Sequence, residues 1–324
     1  MLFDIVVGNP PYQMRTDQGQ SQALPVYHRF IEQAIKYKPR LLSMIVPSRW
    51  FAGGMGLNAF RDFMLKENKI KKIVDFSLSS NCFQNVDIAG GVNYFLLDLT
   101  YKGECEYTYI DNGKTTKIKR SLNEFDILVR NNDAVRIVRK VLNKKEKCIS
   151  SIMNELGLFK LNTYERGIQN KLDDCYKLRS SKGISYIRKE NVTSGKEYIN
   201  KWKIIIGKAT SAGAATASKT DGKRKVIATL ELLEPNSVCT FSYFVGGAFD
   251  ELNEAKNYIS YLSTKFVRFL LLQCLSSINI TKERFSFVPM QDFSKPWTDA
   301  ELYKKYDLTQ NEIDFIESMI KPME

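Results

Sequence analysis

The tetrapeptide Asn9-Pro10-Pro11-Tyr12 is the part of the sequence whose residue types fit a specific chemistry. The Asn9 side-chain carbonyl and the Pro10 backbone carbonyl are two hydrogen-bond acceptors close together in the chain. Pro10 and Pro11 fix two φ angles and bias the residues before them toward extended geometry, so both acceptors are held in place before a ligand arrives. Tyr12 adds an aromatic face for stacking. This combination suits the exocyclic amine of a nucleobase, a poor nucleophile whose two N–H groups must both be held.

The element that positions this tetrapeptide is the run Phe3 to Val7. The run is apolar and is followed by Gly8 and two prolines, which predicts a buried strand with the motif as a rigid loop at its C-terminal end. Ligands of open α/β sheets bind at the carboxyl ends of the strands. We therefore expect the reactive loop at that edge of a sheet.

The next part of the chain alternates between helical and extended patterns. An apolar stripe beginning after Pro25 predicts a helix, and a second helix is predicted at 57–65. Strands are predicted at 41–46, 70–76 and 91–99, with 104–109 pairing as a hairpin with the last of these. Such alternation of strands and helices favours an α/β sheet.

From residue 126 onward the patterns predict several helices and one aromatic strand. The basic segment 126–153 has a helical pattern and is interpreted either as a solvated connecting helix or as a helix lying along phosphate. Residues 238–249 predict an aromatic strand, and 256–275 predict one long helix. Two capping boxes, Thr298 to Glu301 and Thr309 to Glu312, predict two short helices at the end.

The positive charge is concentrated in one region. The 324 residues carry 48 Lys and Arg against 36 Asp and Glu, a net charge of +12, and residues 177–225 hold 13 cations and 3 anions. A surplus of this kind suits a polyanion, because cations displace the counterions condensed on a phosphate backbone. The small-residue segment 209–222 is either a loop that approaches such a backbone closely or a disordered surface loop. The cations predicted to contact DNA are Arg188, Lys189, Lys201, Lys203, Lys208, Lys223, Arg224, Lys225 and Arg284.

Several function classes find no support in the sequence. The six cysteines are scattered without a C-x-x-C pair, so neither a metal site nor a redox motif is predicted. His28 is the only histidine, which leaves no histidine-based nucleophilic triad. With no signal peptide and no long apolar span, an intracellular protein with reduced thiols is predicted.

The tetrapeptide and the strand before it resemble the catalytic motif of the amino-group DNA methyltransferases, which use S-adenosylmethionine, and the Asn-Pro-Pro-Tyr form is typical of the adenine-specific class. The segment 81–92 resembles a later motif of the same enzymes, where an aromatic residue stacks on the extruded base, and Phe83 occupies that position. Residues 234–293 and the tail resemble the target-recognition region and C-terminus of large single-chain restriction–modification methylases. The resemblance implies that Asn9 and Pro10 accept hydrogen bonds from the adenine amine while Tyr12 and Phe83 stack on the ring.

This resemblance implies a fold class and a domain order. The fold is expected to be α/β, a partial Rossmann-like methyltransferase sheet followed by a mixed α+β target-recognition domain and a C-terminal helical pair. The expected segments are 1–125 for the catalytic-loop half, 126–155 for connecting helices, 156–293 for target recognition and 294–324 for the tail. The implied partner is double-stranded DNA, in a prokaryotic cytoplasm.

The cofactor half of the family is expected before the motif strand, and this chain begins eight residues before Asn9. We therefore expect a truncated chain in which no residue is assigned to S-adenosylmethionine, and an apolar sheet edge at residues 3–7 open to pairing. The alternative to an enzyme is a non-catalytic DNA-recognition fragment, or a subunit that needs an upstream or partner cofactor domain. A nuclease is the weaker interpretation, since any endonuclease of the parent enzyme would lie upstream.

Overall fold

A computed structural model describes residues 3–14, 24–208, 218, 220–275 and 279–323. The chain divides into two compact units, Met1–Val135 and Arg136–Glu324. The four-segment division expected from the sequence stays a prediction. Most of the small-residue segment 209–222 lies outside the described residues.

The first unit contains strands and helices in alternation. Their bounds are β1 Ile5–Gly8, β2 Gln13–Met14, β3 Leu24–Pro25, α1 Tyr27–Lys36, β4 Leu41–Pro47, α2 Asn58–Lys66, β5 Ile70–Phe76, β6 Val92–Asp98, β7 Cys105–Asp111 and β8 Lys114–Arg120. Helix α3, Asn132–Asn143, contains the boundary between the units. It is much shorter than the predicted helical segment 126–153, and the left-handed backbone of Lys145 (φ 52°) lies just beyond its end.

Six strands of this unit form one mixed sheet in the order β1-β4-β6-β5-β7-β8. β1 is parallel to β4, and both β4 and β5 are antiparallel to β6, so the carboxyl ends of β1, β4 and β5 meet at one edge. This topology confirms the predicted α/β class. The predicted hairpin was wrong, because β7 pairs in parallel with β5 and antiparallel with β8 rather than with β6.

One face of the sheet carries the core of the first unit. Leu42, Ile73 and Phe95 are fully or almost fully buried there, together with side chains of α1 and α2. The other face is open at β1, where Ile5 is 53% and Val7 is 74% exposed. The prediction of a buried strand at residues 3–7 was therefore wrong, because none of these side chains is buried and only Val6 is half-buried. β1 is the first strand in the order, so the expected apolar sheet edge is observed within the described residues.

The second unit contains two small sheets and a helical layer. Its elements are β9 Cys175–Ser180, β10 Gly183–Arg188, β11 Trp202–Gly207, β12 Leu230–Leu233, β13 Ser237–Cys239, β14 Tyr243–Phe249, α4 Leu252–Ser263, α5 Lys265–Cys274, α6 Asp299–Lys305 and α7 Gln310–Met319. The sheet orders are β10-β9-β13 and β12-β11-β14. This combination of short sheets with helices agrees with the predicted mixed α+β character.

Two helices replace the single helix predicted at 256–275. Thr264 has extended backbone (φ −60°, ψ 150°), which ends α4, and its side chain accepts a hydrogen bond from the Val267 amide to begin α5. The threonine is thus an N-cap rather than a helix-interior residue. The two predicted capping boxes are confirmed at the starts of α6 and α7.

Within the described residues, no helix is long and apolar enough to cross a membrane. The same residues hold no group of three or more His, Cys, Asp or Glu side chains placed to bind a metal ion.

Candidate active site

A cavity of about 390 Å³ lies beside the Asn-Pro-Pro-Tyr motif in the first unit. Four segments contribute to its lining, and three of them follow the carboxyl ends of β1, β4 and β5. The lining residues are Tyr12, Gln13, Pro25, Tyr27, Pro47, Arg49, Asp87, Ile88 and Ala89. Its volume falls in the range of small-molecule sites. The loop position predicted from the sequence therefore coincides with a cavity at the sheet edge where ligands bind.

The motif residues differ in exposure. Asn9 and Pro11 are exposed, Pro10 is buried and Tyr12 is half-buried. The Tyr12 carbonyl accepts a hydrogen bond from the Val26 amide at 3.2 Å, which ties the end of the motif to the start of α1. Tyr12 lines the cavity, whereas Asn9 and Pro10 are not among its lining residues. The assignment of the two carbonyls to an amine stays a prediction.

The Tyr12 hydroxyl is buried and has no hydrogen-bond partner among the described residues. Burial raises the pKa of this phenol, and the neighbouring Cys82 thiol raises it further. The neutral phenol is therefore the relevant form near neutral pH. Its half-buried ring, which lines the cavity, offers a stacking surface.

Tyr27 and Arg49 form another part of the lining. Tyr27 is 1% exposed, and burial raises the pKa of its phenol while the Arg49 guanidinium opposes that rise. The Arg49 Nη1 lies 2.9 Å from the Met55 sulfur, a weak acceptor. Arg49 is thus a cation at the cavity whose described side-chain partner is neutral, which suits a phosphate or carboxylate ligand.

The loop of residues 77–91 supplies the remaining lining. Inside this 77–91 loop the Ser79 hydroxyl donates to the Val86 carbonyl (2.7 Å) and accepts from the Ile88 amide (2.8 Å). Phe83 is half-buried and does not line the cavity, although its neighbour Cys82 is close enough to affect the pKa of Tyr12. The pairing of Phe83 with Tyr12 around a base stays a prediction.

A buried carboxylate bonds to Ser48, the residue between Pro47 and Arg49 of the cavity lining. Asp75 is 0% exposed and accepts hydrogen bonds from the Ser48 hydroxyl and the Tyr107 hydroxyl, each at 2.7 Å. Arg130 donates to both of its oxygens, from Nε and Nη2, also at 2.7 Å. Burial alone would lower the pKa of the Arg130 guanidinium, but the Asp75 carboxylate raises it above its usual value. This network joins β4, β5, β7 and the residues after β8 into one rigid base.

Sequence reasoning missed Arg49, Asp75, Asp87 and Arg130. A signal for Asp75 exists, since it is the one carboxylate in the strand Ile70–Phe76 and directly follows the apolar pair Ile73-Val74. Arg49 follows Pro47 by two residues, at the edge where the motif was expected. Arg130 is 55 positions from Asp75, and nothing in the local pattern connects the two.

One of the cations predicted to bind DNA is placed wrongly for that role. Lys203 is 0% exposed, and desolvation lowers the pKa of its ammonium to about 8. Its Nζ donates to the backbone carbonyls of Ile199 (2.9 Å), Lys201 (2.6 Å) and Glu234 (3.4 Å). The side chain points into the second unit because its strand β11 is central in its sheet, so it is a structural residue rather than a phosphate contact.

The other predicted cations lie on the second unit, and several have intramolecular partners. The ion pairs are Arg188 with Glu190 (3.9 Å), Lys189 with Asp174 (3.5 Å) and Lys201 with Asp250 (2.9 Å). The Lys208 ammonium lies 4.2 Å from the centroid of the Phe241 ring. Lys223 and Lys225 flank Arg224, whose amide donates to the Met319 carbonyl (2.8 Å), and the Arg284 guanidinium donates to the Cys274 carbonyl (3.2 Å). Their contact with DNA stays a prediction.

Comparison with known proteins gives two kinds of sequence match. Residues 1–83 match the model of the family described as Eco57I restriction-modification methylase. A protein of Mycoplasma pneumoniae described as an uncharacterized adenine-specific methylase is 35% identical over 146 residues, which cover 43% of this chain and 34% of that protein. The match thus spans about a third of the length of that relative.

Two solved structures are similar to the chain at low sequence identity. The type IIL enzyme MmeI in complex with DNA has a TM-score of 0.44 at 10% identity, covering 99% of this chain and 55% of that chain. The type IIG restriction endonuclease BpuSI has a TM-score of 0.37 at 11% identity, covering 97% of this chain and 48% of that chain. The sequence matches confirm the predicted resemblance: this chain is similar to the adenine-specific DNA methyltransferases of restriction–modification systems, and the family match lies over its first 83 residues.

Proposed function

We propose that this chain carries the base-binding part of an adenine-specific DNA methyltransferase that modifies the amino group of an adenine rotated out of the duplex. The observation that carries the proposal is the cavity beside the Asn-Pro-Pro-Tyr motif, where the ends of three parallel strands bring Tyr12, Arg49 and Asp87 together. A cavity of about 390 Å³ has room for an extruded base with its sugar.

Each motif residue has a separate role in this proposal. Asn9 and Pro10 accept hydrogen bonds from the adenine amine, and Pro11 limits the freedom of the loop. Tyr12 stacks on the base from the cavity side, and Phe83 stacks from the 77–91 loop. The catalytic contribution is orientation of the amine toward the methyl donor, and no side chain of the motif has to titrate.

Arg49 extends this set of roles. Because it lies at the cavity and its described side-chain partner is a thioether, its guanidinium is available to a phosphate of the extruded nucleotide. Arg49 would then hold the backbone of the rotated nucleotide while the motif holds its base.

S-adenosylmethionine is the methyl donor that the family uses. The family binds it with a glycine-rich turn and a carboxylate for the ribose hydroxyls, and the described residues that line this cavity include one carboxylate, Asp87, but no glycine. The glycine-rich turn is thus not represented among these residues, and we assign no residue of this chain to the donor. We propose that an upstream or separate segment supplies that binding site.

The second unit is proposed to bind double-stranded DNA through its surface cations. The proposed location is the prokaryotic cytoplasm. The proposed contacts are Arg188, Lys189, Lys201, Lys208, Lys223, Arg224, Lys225 and Arg284. Contacts to phosphate would position the protein, while contacts to base edges would select the target.

A radiolabel assay tests the proposal. The purified chain is mixed with labelled S-adenosylmethionine and unmethylated genomic DNA, with and without the protein segment encoded directly upstream. The expected result is labelled N6-methyladenine after DNA hydrolysis, in at least the reaction that contains both segments. DNA binding without any transfer in either reaction would instead favour the alternative, a DNA-recognition module that does not catalyse.

A further inference from the structure

We propose that Arg130 is a positioning residue. It clamps together the two ends of the 77–91 loop, called here the neck of the loop, and so fixes one wall of the base cavity. The inference deepens the proposed function and rests on it for its catalytic consequence. Arg130 follows β8 and is far in sequence from the Asn-Pro-Pro-Tyr motif. Its role comes from contacts that join both ends of one loop.

The two ends of the 77–91 loop meet at the Arg130 guanidinium. Nη2 donates to the carbonyl of Phe76, directly before the loop, at 3.2 Å. Nη1 donates to the carbonyl of Gly90, near the end of the loop, at 2.7 Å. A single side chain therefore holds the entry and the exit of the loop together.

Gly91 shows how closely these ends approach. Its φ is +78°, and a Cβ built there would lie 2.0 Å from the Phe76 carbonyl oxygen. Both the left-handed backbone and the lack of space require glycine at this position. The neck of the loop is thus a close backbone contact as well as an arginine clamp.

Asp75 holds the guanidinium in place. The pair is bidentate, with both contacts at 2.7 Å, and the carboxylate is fixed in turn by the hydroxyls of Ser48 and Tyr107. Arg130 makes four such contacts, two to the carboxylate and two to carbonyls, and its planar fork has enough N–H donors for all of them, whereas an ammonium has three. A lysine keeps the charge and loses this geometry.

The cavity lining begins directly beside the clamped end of the loop, since Ala89 precedes Gly90. Asp87, Ile88 and Ala89 line the cavity, and the Ile88 amide is fixed by the Ser79 hydroxyl (2.8 Å). Cys82 lies near Tyr12. A shift at the neck would therefore move the wall that faces the Asn-Pro-Pro-Tyr motif, and with it Phe83.

Hydrogen exchange measured by mass spectrometry tests the clamp without reference to catalysis. In Arg130→Lys, we expect the amides of residues 77–91 to exchange at least about ten-fold faster, while the amides of the six-stranded sheet keep their protection. Arg120→Lys is the control, because Arg120 is an arginine of the same unit that is buried (4% exposed, against 23% for the Arg130 side chain) and lies over the Tyr107 ring, yet it donates to the Val129 carbonyl and not to the loop. Unchanged exchange in the loop of Arg130→Lys, or faster exchange spread evenly over the first unit, would overturn the inference.

A second variant keeps the test decisive if Arg130→Lys does not fold. Gly91→Ala acts on the same neck without touching the Asp75 carboxylate, and we expect it to speed exchange in the same residues. Protection of the loop that is unchanged in a folded Gly91→Ala would count against the clamp.

Methyl transfer then connects the clamp to catalysis. We expect Arg130→Lys to lower kcat by about 100-fold with little change in KM for DNA. A displaced 77–91 loop would disturb the orientation of the bound adenine more than the binding of DNA. Equal losses in Arg120→Lys and Arg130→Lys would indicate a merely structural role and would contradict the inference. If the native chain with its upstream segment transfers no methyl group while the loop exchange responds as expected, the clamp stands and the proposed function fails.

Discussion

The backbone amide of Ser48 donates a hydrogen bond to the carbonyl of Gly91 at 3.0 Å. Ser48 directly follows β4 and precedes Arg49, whereas Gly91 ends the 77–91 loop that carries Asp87. The two cavity walls are therefore joined at their bases by main-chain contact. We therefore expect substitutions of exposed or half-buried side chains near the cavity to act on ligand contacts more than on folding.

Asn9→Ala is expected to lower methyl transfer by about 100-fold or more, because loss of one preorganised hydrogen-bonding group at a reacting centre typically costs that much. The Asn9 side chain is exposed, so the variant should fold normally. Transfer rates with labelled S-adenosylmethionine measure the effect. Gln33→Ala, on the exposed side of α1, is the control. Full activity in Asn9→Ala would remove the motif from the mechanism.

Tyr12 is expected to act through its ring more than through its hydroxyl. Tyr12→Phe deletes a buried hydroxyl that lacks a protein partner, so it should leave stability unchanged or slightly higher. Tyr12→Ala removes the stacking surface and should weaken DNA binding by roughly 5- to 150-fold, the equivalent of about 1–3 kcal/mol. Titration of a fluorescent duplex compares the two variants.

The same titration applied to Phe83→Ala tests the second stacking residue. A comparable loss of affinity is expected if Phe83 contacts the base. An affinity equal to that of the native chain would place Phe83 outside the base contact. A loss in Tyr12→Phe as large as that in Tyr12→Ala would show that the hydroxyl, and not the ring, makes the contact.

The salt dependence of DNA binding should separate surface cations from the buried one. Arg188→Ala and Lys189→Ala each remove a surface charge whose present partner is a loose ion pair, and each should reduce the slope of log K against log salt by about 1. Lys203→Met should leave the slope unchanged, because Lys203 is 0% exposed. Binding measured over a series of salt concentrations gives the slopes. A lower slope in Lys203→Met would mean that the second unit opens when it binds DNA.

Local sequence patterns predicted the strands of the first unit well. The predicted strand 70–76 agrees with β5 to the residue, and 41–46 and 91–99 agree with β4 and β6 within a residue. Apolar runs bounded by glycine, proline or asparagine are sufficient for this result. The pairing of the strands was harder to predict from the sequence. β7 lies beside β5 because of the way the chain crosses the sheet, and nearby residues do not reveal this.

Tertiary contacts explain the parts of the site that the sequence did not reveal. Lys203 was counted with the DNA-binding cations because composition does not show which way a strand side chain points. Arg130 was not recognised because its partners Asp75, Phe76 and Gly90 lie 40 to 55 positions away. The helix break at Thr264 was missed because threonine fits both a helix interior and an N-cap, and only its bond to Val267 distinguishes them.

The buried ammonium of Lys203 should make stability depend on pH above neutrality. Its pKa is lowered from 10.5 to about 8 by desolvation, so between about pH 8 and 10.5 the unfolded chain binds a proton that the folded chain has released. Stability rises with pH wherever the unfolded state binds more protons. From pH 7 to pH 10 the native chain should therefore gain about 2 kcal/mol relative to Lys203→Met, an order-of-magnitude value. Urea unfolding of both proteins at the two pH values measures this difference. Lys66→Met, which changes an exposed lysine on α2, corrects for the removal of a lysine as such. Parallel pH courses for the native chain and Lys203→Met would show that the three carbonyl acceptors keep Lys203 protonated throughout.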